Sequence, residues 1–135
     1  MTDWKFRPFS RSPCCARTAP RPSVVVPVRN EEGNLAPLIA EIEAALAPLA
    51  PFEIVYVNDG SSDGTGDAVR QRMPGATVIA GDGSLFWNGG MRKAWDAAKS
   101  SGQHFDFYLW LNDDVELAPE ALAMLVNDAD SVAAR

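Results

Sequence analysis

Residues 106–117, Asp-Phe-Tyr-Leu-Trp-Leu-Asn-Asp-Asp-Val-Glu-Leu, constrain the fold more than any other stretch, because an apolar, aromatic run ends abruptly in Asn112-Asp113-Asp114. The pattern predicts a buried strand that delivers acids to its end. Adjacent carboxylates repel each other, so a divalent cation is their natural partner. Mg²⁺ or Mn²⁺ held by one or two carboxylates also leaves positions open for substrate phosphates. The alternative for Asn112-Asp113-Asp114 is a turn capping a helix that starts near Pro119.

Three further apolar runs precede this one, each followed by a polar loop and a helical pattern. Ser23–Val28 is continuously apolar after its first residue, as suits a central parallel strand buried on both faces, with Pro27 expected to mark its end. Asn34 is placed to cap a helix carrying Leu35, Leu38, Ile39, Ile42, Leu46 and Leu49 on one face. Phe52–Val57 reads as the second strand, and the loop after it directs Asp59 into a cleft and caps a helix over about 65–73. That loop imitates half of a calcium-binding EF-hand, but Arg70 stands where a bidentate Glu is required and a strand precedes it, so calcium is rejected. Ala76–Ala80 is the third strand. A glycine-rich segment then leads to a helix from about Gly89 to Ser100, with Met91, Ala94, Trp95 and Ala98 facing inward. Glycines ahead of a helix let the backbone approach an anion, which makes Gly89, Gly90 and Arg92 candidates for the diphosphate side of a site. The Gly-Lys-Ser/Thr ending of a Walker loop is missing. A last helix, through Leu122, Leu125 and Val126, starts at Pro119.

Alternation of strand and helix with short links predicts an α/β fold, a mostly parallel sheet flanked by helices. Ligands of such sheets lie at the carboxyl ends of strands, where Pro27, Asp59 and Asp114 all fall. Residues 1–22 hold five Lys or Arg against one acid and show no periodicity, so they read as a disordered basic and Pro-rich extension, or as an arm using Trp4, Phe6 and Phe9 at an anionic membrane. Residues 23–135 hold seven Lys or Arg against seventeen acids, which argues against nucleic acid as a partner. The only two cysteines, Cys14 and Cys15, are adjacent, and no apolar run approaches the ~18–20 residues of a membrane span. A cytoplasmic location, free or peripheral to a membrane, is the expectation.

Four segments, VVVPVRNEEGNL, VYVNDGSSDGT, GDGSLFWNGGMRKAWDAA and YLWLNDDVEL, together resemble the family 2 glycosyltransferases with the GT-A (Rossmann-like) fold, over about residues 23–130. The third segment resembles a rhamnosyltransferase-like subgroup. The resemblance implies a nucleotide-diphospho-sugar donor, a saccharide or lipid-linked acceptor, inversion at the transferred sugar, and a role in cell-wall or polysaccharide synthesis. It implies that Pro27, Arg29, Glu31 and Asp59 hold the nucleotide and that Asp114 binds the metal. Asn112 stands where the family's first metal-motif acid is expected, and Asp113 lies between. Catalytic residues are not identified, because the family's general base follows the metal motif, and Asp128 and Asp130 fall in the last helix. Residues 23–135 thus read as a donor-binding domain incomplete at its C-terminus. Such a chain is expected to self-associate through an uncovered sheet edge. A non-catalytic nucleotide-sugar-binding module is the alternative.

Overall fold

The computed structural model describes residues 21–49 and 51–133. Four strands, β1 (Pro22–Val28), β2 (Glu53–Asn58), β3 (Thr77–Ala80) and β4 (Phe107–Trp110), form one parallel sheet in the order β3-β2-β1-β4. Between and after them run helices α1 (Glu32–Leu46), α2 (Thr65–Arg72), α3 (Phe86–Ser100) and α4 (Ala121–Ala133). A 3₁₀ turn at Ala47–Leu49 extends α1.

Both faces of the sheet are covered, which is why β1 is apolar without interruption. Val24, Val26 and Val28 face a core shared with Leu35, Ile42, Tyr56, Val69 and Val126, under α1, α2 and α4. Val25 points the other way and packs with Val55, Val57, Met91, Ala94 and Ala98 beneath α3. Each fully buried Val or Leu contributes about 1.5–3 kcal/mol, so β1 and β2 anchor both cores. Valines on both faces cannot by themselves select a strand register. Pro27 supplies a constraint. The Val25 carbonyl accepts from Leu111 N at 3.1 Å, on the β4 side, and the Val28 carbonyl accepts from Asp59 N at 3.0 Å, on the β2 side. Two residues beyond Val25, Pro27 turns its missing N–H toward the β4 side, where the pairing with β1 has already ended at Trp110.

Several boundaries differ from expectation. β1 begins at Pro22, opposite Phe107, inside the expected 1–22 extension; residues 1–20 of that extension, with Trp4, Phe6 and Phe9, lie outside the described residues. Pro27 sits one residue before the end of β1. α1 starts at Glu32, so Asn34 lies in its first turn and donates its side-chain N–H to Glu31 Oε2 at 2.6 Å instead of capping. The caps come from across the chain: Glu31 N donates to the Thr65 hydroxyl at 3.0 Å and Glu32 N to Asp63 Oδ2 at 3.2 Å. α3 starts at Phe86, three residues before the expected start at Gly89. α4 starts at Ala121, after Pro119, and Leu125 is exposed. Among the described residues no helix is long and apolar enough to cross a membrane.

Candidate functional site

At the carboxyl end of the sheet the loop after β2 and the loop after β3 are joined by one carboxylate. Asp59 is only 3 % exposed. Its Oδ1 accepts from Gly83 N at 2.8 Å, and its Oδ2 accepts from Leu85 N and Phe86 N at 3.1 Å each. Three backbone donors thus occupy three of the roughly four acceptor positions of a carboxylate. The loops meet where no side chain fits: a Cβ at Gly60 would lie 2.9 Å from Gly83 Cα, and one at Gly81 2.5 Å from Asp59 Oδ1. Gly60 also has φ +67°, which favours glycine. Arg29 joins them, donating from Nη1 to the Gly83 carbonyl at 2.8 Å.

A second layer of bonds ties the loop after β1 to the loop after β2. Asn30, at φ 56°, accepts from Ser62 N at 2.8 Å, and its own N–H donates to the Ser61 hydroxyl at 2.9 Å. Asp63 accepts from Thr65 N at 3.1 Å, from the Thr65 hydroxyl and from Glu32 N. The Thr65 hydroxyl, with these N–H groups, holds the Asp63 carboxyl below the usual carboxylate range.

The start of α3 forms the next wall. Phe86 has φ 52°, is 75 % exposed, and is held through its N–H by Asp59. Trp87 turns toward β4 instead, donating its indole N–H to Asn112 Oδ1 and meeting Trp110 edge to face at 6.4 Å. Gly89 N is spent on the Leu85 carbonyl within the helix. Gly90 allows α3 to approach β1, since a Cβ there would lie 2.8 Å from Pro27 Cβ. Gly89 thus serves helix formation and Gly90 the packing of α3 on β1. The Arg92 side chain is 84 % exposed, 3.8 Å from Asp96, and borders a groove of about 630 Å³ with Asn88, Gly89, Trp95, Lys99 and Trp110. Of the expected diphosphate-side trio, Gly89 and Arg92 border this groove beside Trp110 at the end of β4, and Gly90 packs on Pro27 near the end of β1.

The acidic turn closes the site. Asp113 is half-buried and borders a cavity of about 200 Å³ with Pro27, Val28, Arg29, Asp59, Phe86 and Trp87. Burial pushes its carboxyl above the usual carboxylate range, and the nearby charges of Glu31 and Asp114 push the same way. Asp114, exposed, borders a separate hollow of about 280 Å³ with Asn34, Pro37, Glu41 and Glu116, into which Asp113 also reaches. Of the expected residues, Pro27, Arg29, Asp59 and Asp113 line one cavity, Glu31 acts on it through charge, and Asp114 lies on its far side. Phe86 and Trp87 were not singled out from sequence, although two adjacent aromatics at the end of a glycine-rich loop are a signal.

Among the described residues no three His, Cys, Asp or Glu side chains converge to hold a metal ion. Mg²⁺ and Mn²⁺ sites completed by phosphate oxygens need only one or two carboxylates, and the acidic turn has that donor chemistry. Asn112 is committed to Trp87, leaving Asp113 and Asp114 as the acids available.

Comparison with known proteins gives a consistent set of relatives. The family model described as Glycosyl transferase family 2 matches residues 23–134. An undecaprenyl-phosphate 4-deoxy-4-formamido-L-arabinose transferase of Serratia proteamaculans is 37 % identical over 113 residues, covering 80 % of this chain and 33 % of that protein. Its namesake from Pseudomonas aeruginosa is 36 % identical over 110 residues, covering 79 % and 32 %. Staphylococcus aureus TarS 1–349 in complex with UDP superposes with a TM-score of 0.70 at 23 % identity, covering 82 % of this chain and 32 % of that one. The mannosyltransferase PcManGT from Pyrobaculum calidifontis, in complex with GDP-Man and Mn²⁺, gives 0.63 at 24 % identity, covering 83 % and 32 %. The expected fold, a parallel sheet between helices, is thereby shared with solved structures. The chain spans about a third of the length of the curated relatives it matches.

Proposed function

The chain belongs to glycosyl transferase family 2, and from that premise we propose that it forms the donor side of an enzyme that moves a sugar, with inversion, from a nucleotide diphosphate to a lipid-linked or saccharide acceptor. The observation that carries this reading is the convergence of Pro27, Arg29, Asp59 and Asp113 on one cavity at the strand ends, where parallel α/β sheets hold ligands.

The base enters against Pro27 and Arg29, and Asp59 offers its remaining acceptor position to a base N–H. Glu31 borders the ribose side. Asp113 and Asp114 would hold Mg²⁺ or Mn²⁺, which when bound would supply stabilisation of the charge that develops on a leaving diphosphate. Two structural neighbours support these ligands, since one is in complex with UDP and the other with GDP-Man and Mn²⁺. Arg92 lies outside this set.

A deoxysugar donor is favoured by the third sequence segment. The relatives are themselves named for a 4-deoxy sugar and for undecaprenyl phosphate, which supports a lipid phosphate as acceptor and work at the inner face of a membrane in surface-polysaccharide synthesis. The outer edge of β4, with Trp110 exposed, is available for pairing with a second copy. Calorimetry of the chain with UDP, GDP and their sugar conjugates tests the donor assignment. Saturable binding of a nucleoside diphosphate, with no response to the free sugar, is expected; absence of binding to every nucleotide would overturn it.

A further inference from the structure

Phe86 stands out among the residues around the cavity. A non-glycine residue with positive φ is uncommon and strained, and a bulky side chain makes it more so. Phe86 combines φ 52° with a ring left 75 % in solvent, whereas the other large aromatics nearby have partners. Trp87 bonds Asn112 and meets Trp110, and Trp95 meets both Trp110 and Tyr108. The backbone at Phe86 is fixed, since Asp59 Oδ2 accepts its N–H at 3.1 Å and that of Leu85 as well. A buried carboxylate is thus used to hold an aromatic ring, at a conformational cost, at the border of a cavity lined on other sides by Pro27, Arg29 and Asp113. The cavity, at about 200 Å³, is smaller than the ~300–1,000 Å³ of a pocket that encloses a whole ligand, so it takes one flat fragment and not a nucleotide sugar entire.

We infer that Phe86 is the stacking wall for the nucleobase of the donor, and that Asp59 acts as a positioning residue for it. This inference rests on the donor assignment above. An aromatic face is tolerant of base identity because every base has a π-face. Phe86 therefore sets affinity for a base as such, and the choice among bases falls to groups that meet the base edge, Arg29 and the free acceptor position of Asp59.

The test measures binding of UDP, GDP and inorganic pyrophosphate, with the same divalent cation throughout, to the parent chain and to Phe86→Ala, Phe86→Trp and Phe86→Gly. The expected result is a loss of about tenfold or more in affinity for UDP and GDP in Phe86→Ala and Phe86→Gly, recovery in Phe86→Trp, and unchanged affinity for pyrophosphate. Phe86→Gly should also melt higher than the parent, because glycine adopts this φ without strain, so reduced binding there cannot be laid to unfolding. If the parent binds UDP and Phe86→Ala binds it equally well, the stacking role is overturned while the donor assignment stands. If the parent binds no nucleotide, the donor assignment fails and takes the stacking role with it. Unchanged nucleotide affinity, with loss of binding to vesicles of anionic phospholipid, would assign the ring to a membrane surface and overturn the proposal.

Discussion

Asp59 and Asp113 border the same cavity, yet the first receives three backbone N–H groups, while among the described residues no other residue donates a hydrogen bond to the second. Asp59 is a finished structural element: its charge is spread over donors that exist before any ligand arrives. Asp113 is half-buried beside two further acids, and burial, with the charges of Glu31 and Asp114, disfavours its charged form more than its own backbone N–H favours it. A carboxylate kept in that state costs stability until a cation or a protonated group meets it. The loops after β2 and β3 are therefore preformed, whereas the turn after β4 is the part we propose to receive a cation. Mutations should separate the two by moving stability and binding in different directions.

The largest effect is expected from Asp59→Ala, which leaves three backbone donors without their acceptor. Each buried donor so abandoned costs about 1–3 kcal/mol, and a loss on the order of 3 kcal/mol should appear in urea unfolding. A variant as stable as the parent would mean that Asp59 is no clamp and would erase the contrast with Asp113. Gly60→Ala should follow at about 1–3 kcal/mol, because its Cβ would press on the Gly83 backbone at 2.9 Å and its φ of +67° is strained for alanine. Gly75→Ala, with nothing within 4 Å, is the control and should stay near neutral.

On the acidic side the sign should reverse. Asp113→Asn removes a charge that burial, Glu31 and Asp114 all disfavour, so the melting temperature should hold or rise, by no more than about 1 kcal/mol of stability. A marked fall would show Asp113 to be structural, like Asp59. The smallest effect belongs to Asp63, whose depressed carboxyl stabilises the fold above its unfolded value of 3.8 and ceases to do so as pH falls through the lower folded value. Thermal melts of Asp63→Asn should lie slightly below the parent at neutral pH and converge with it below about pH 4; a gap that widens in acid contradicts this.

Much of this architecture was legible in the chain. The unbroken apolar runs of β1 and β2, and the polar residues that end them, fixed the parallel sheet and put Pro27 and Asp59 at its carboxyl edge. The helix starts were not legible, because the groups that cap α1 are Asp63 and Thr65, more than thirty residues away in sequence. Gly90 was ambiguous for a related reason: the same residue type opens an anion cradle or lets a helix approach a strand, and the close approach became visible only in the 2.8 Å distance to Pro27. The sequence pointed to Asp114 as the metal-binding acid, whereas it is Asp113 that borders the cavity with Asp59, since neighbours in a turn point in directions that no periodicity records. Phe86 was signalled only by its place beside Trp87 after a glycine-rich loop, and nothing about a phenylalanine announces a positive φ.

The central claim is that Asp113 and its neighbour hold a cation for a diphosphate on a scaffold that Asp59 has already set. Calorimetric titration of a nucleoside diphosphate into the parent, Asp113→Asn and Asp114→Asn, each with Mn²⁺ and with chelator, tests it most directly. Binding that requires Mn²⁺ in the parent, and loses that requirement together with most of its affinity in Asp113→Asn while the protein remains folded, is the predicted result. Equal affinity with and without metal in the parent, or a metal requirement and affinity that survive unchanged in both Asp113→Asn and Asp114→Asn, would contradict it.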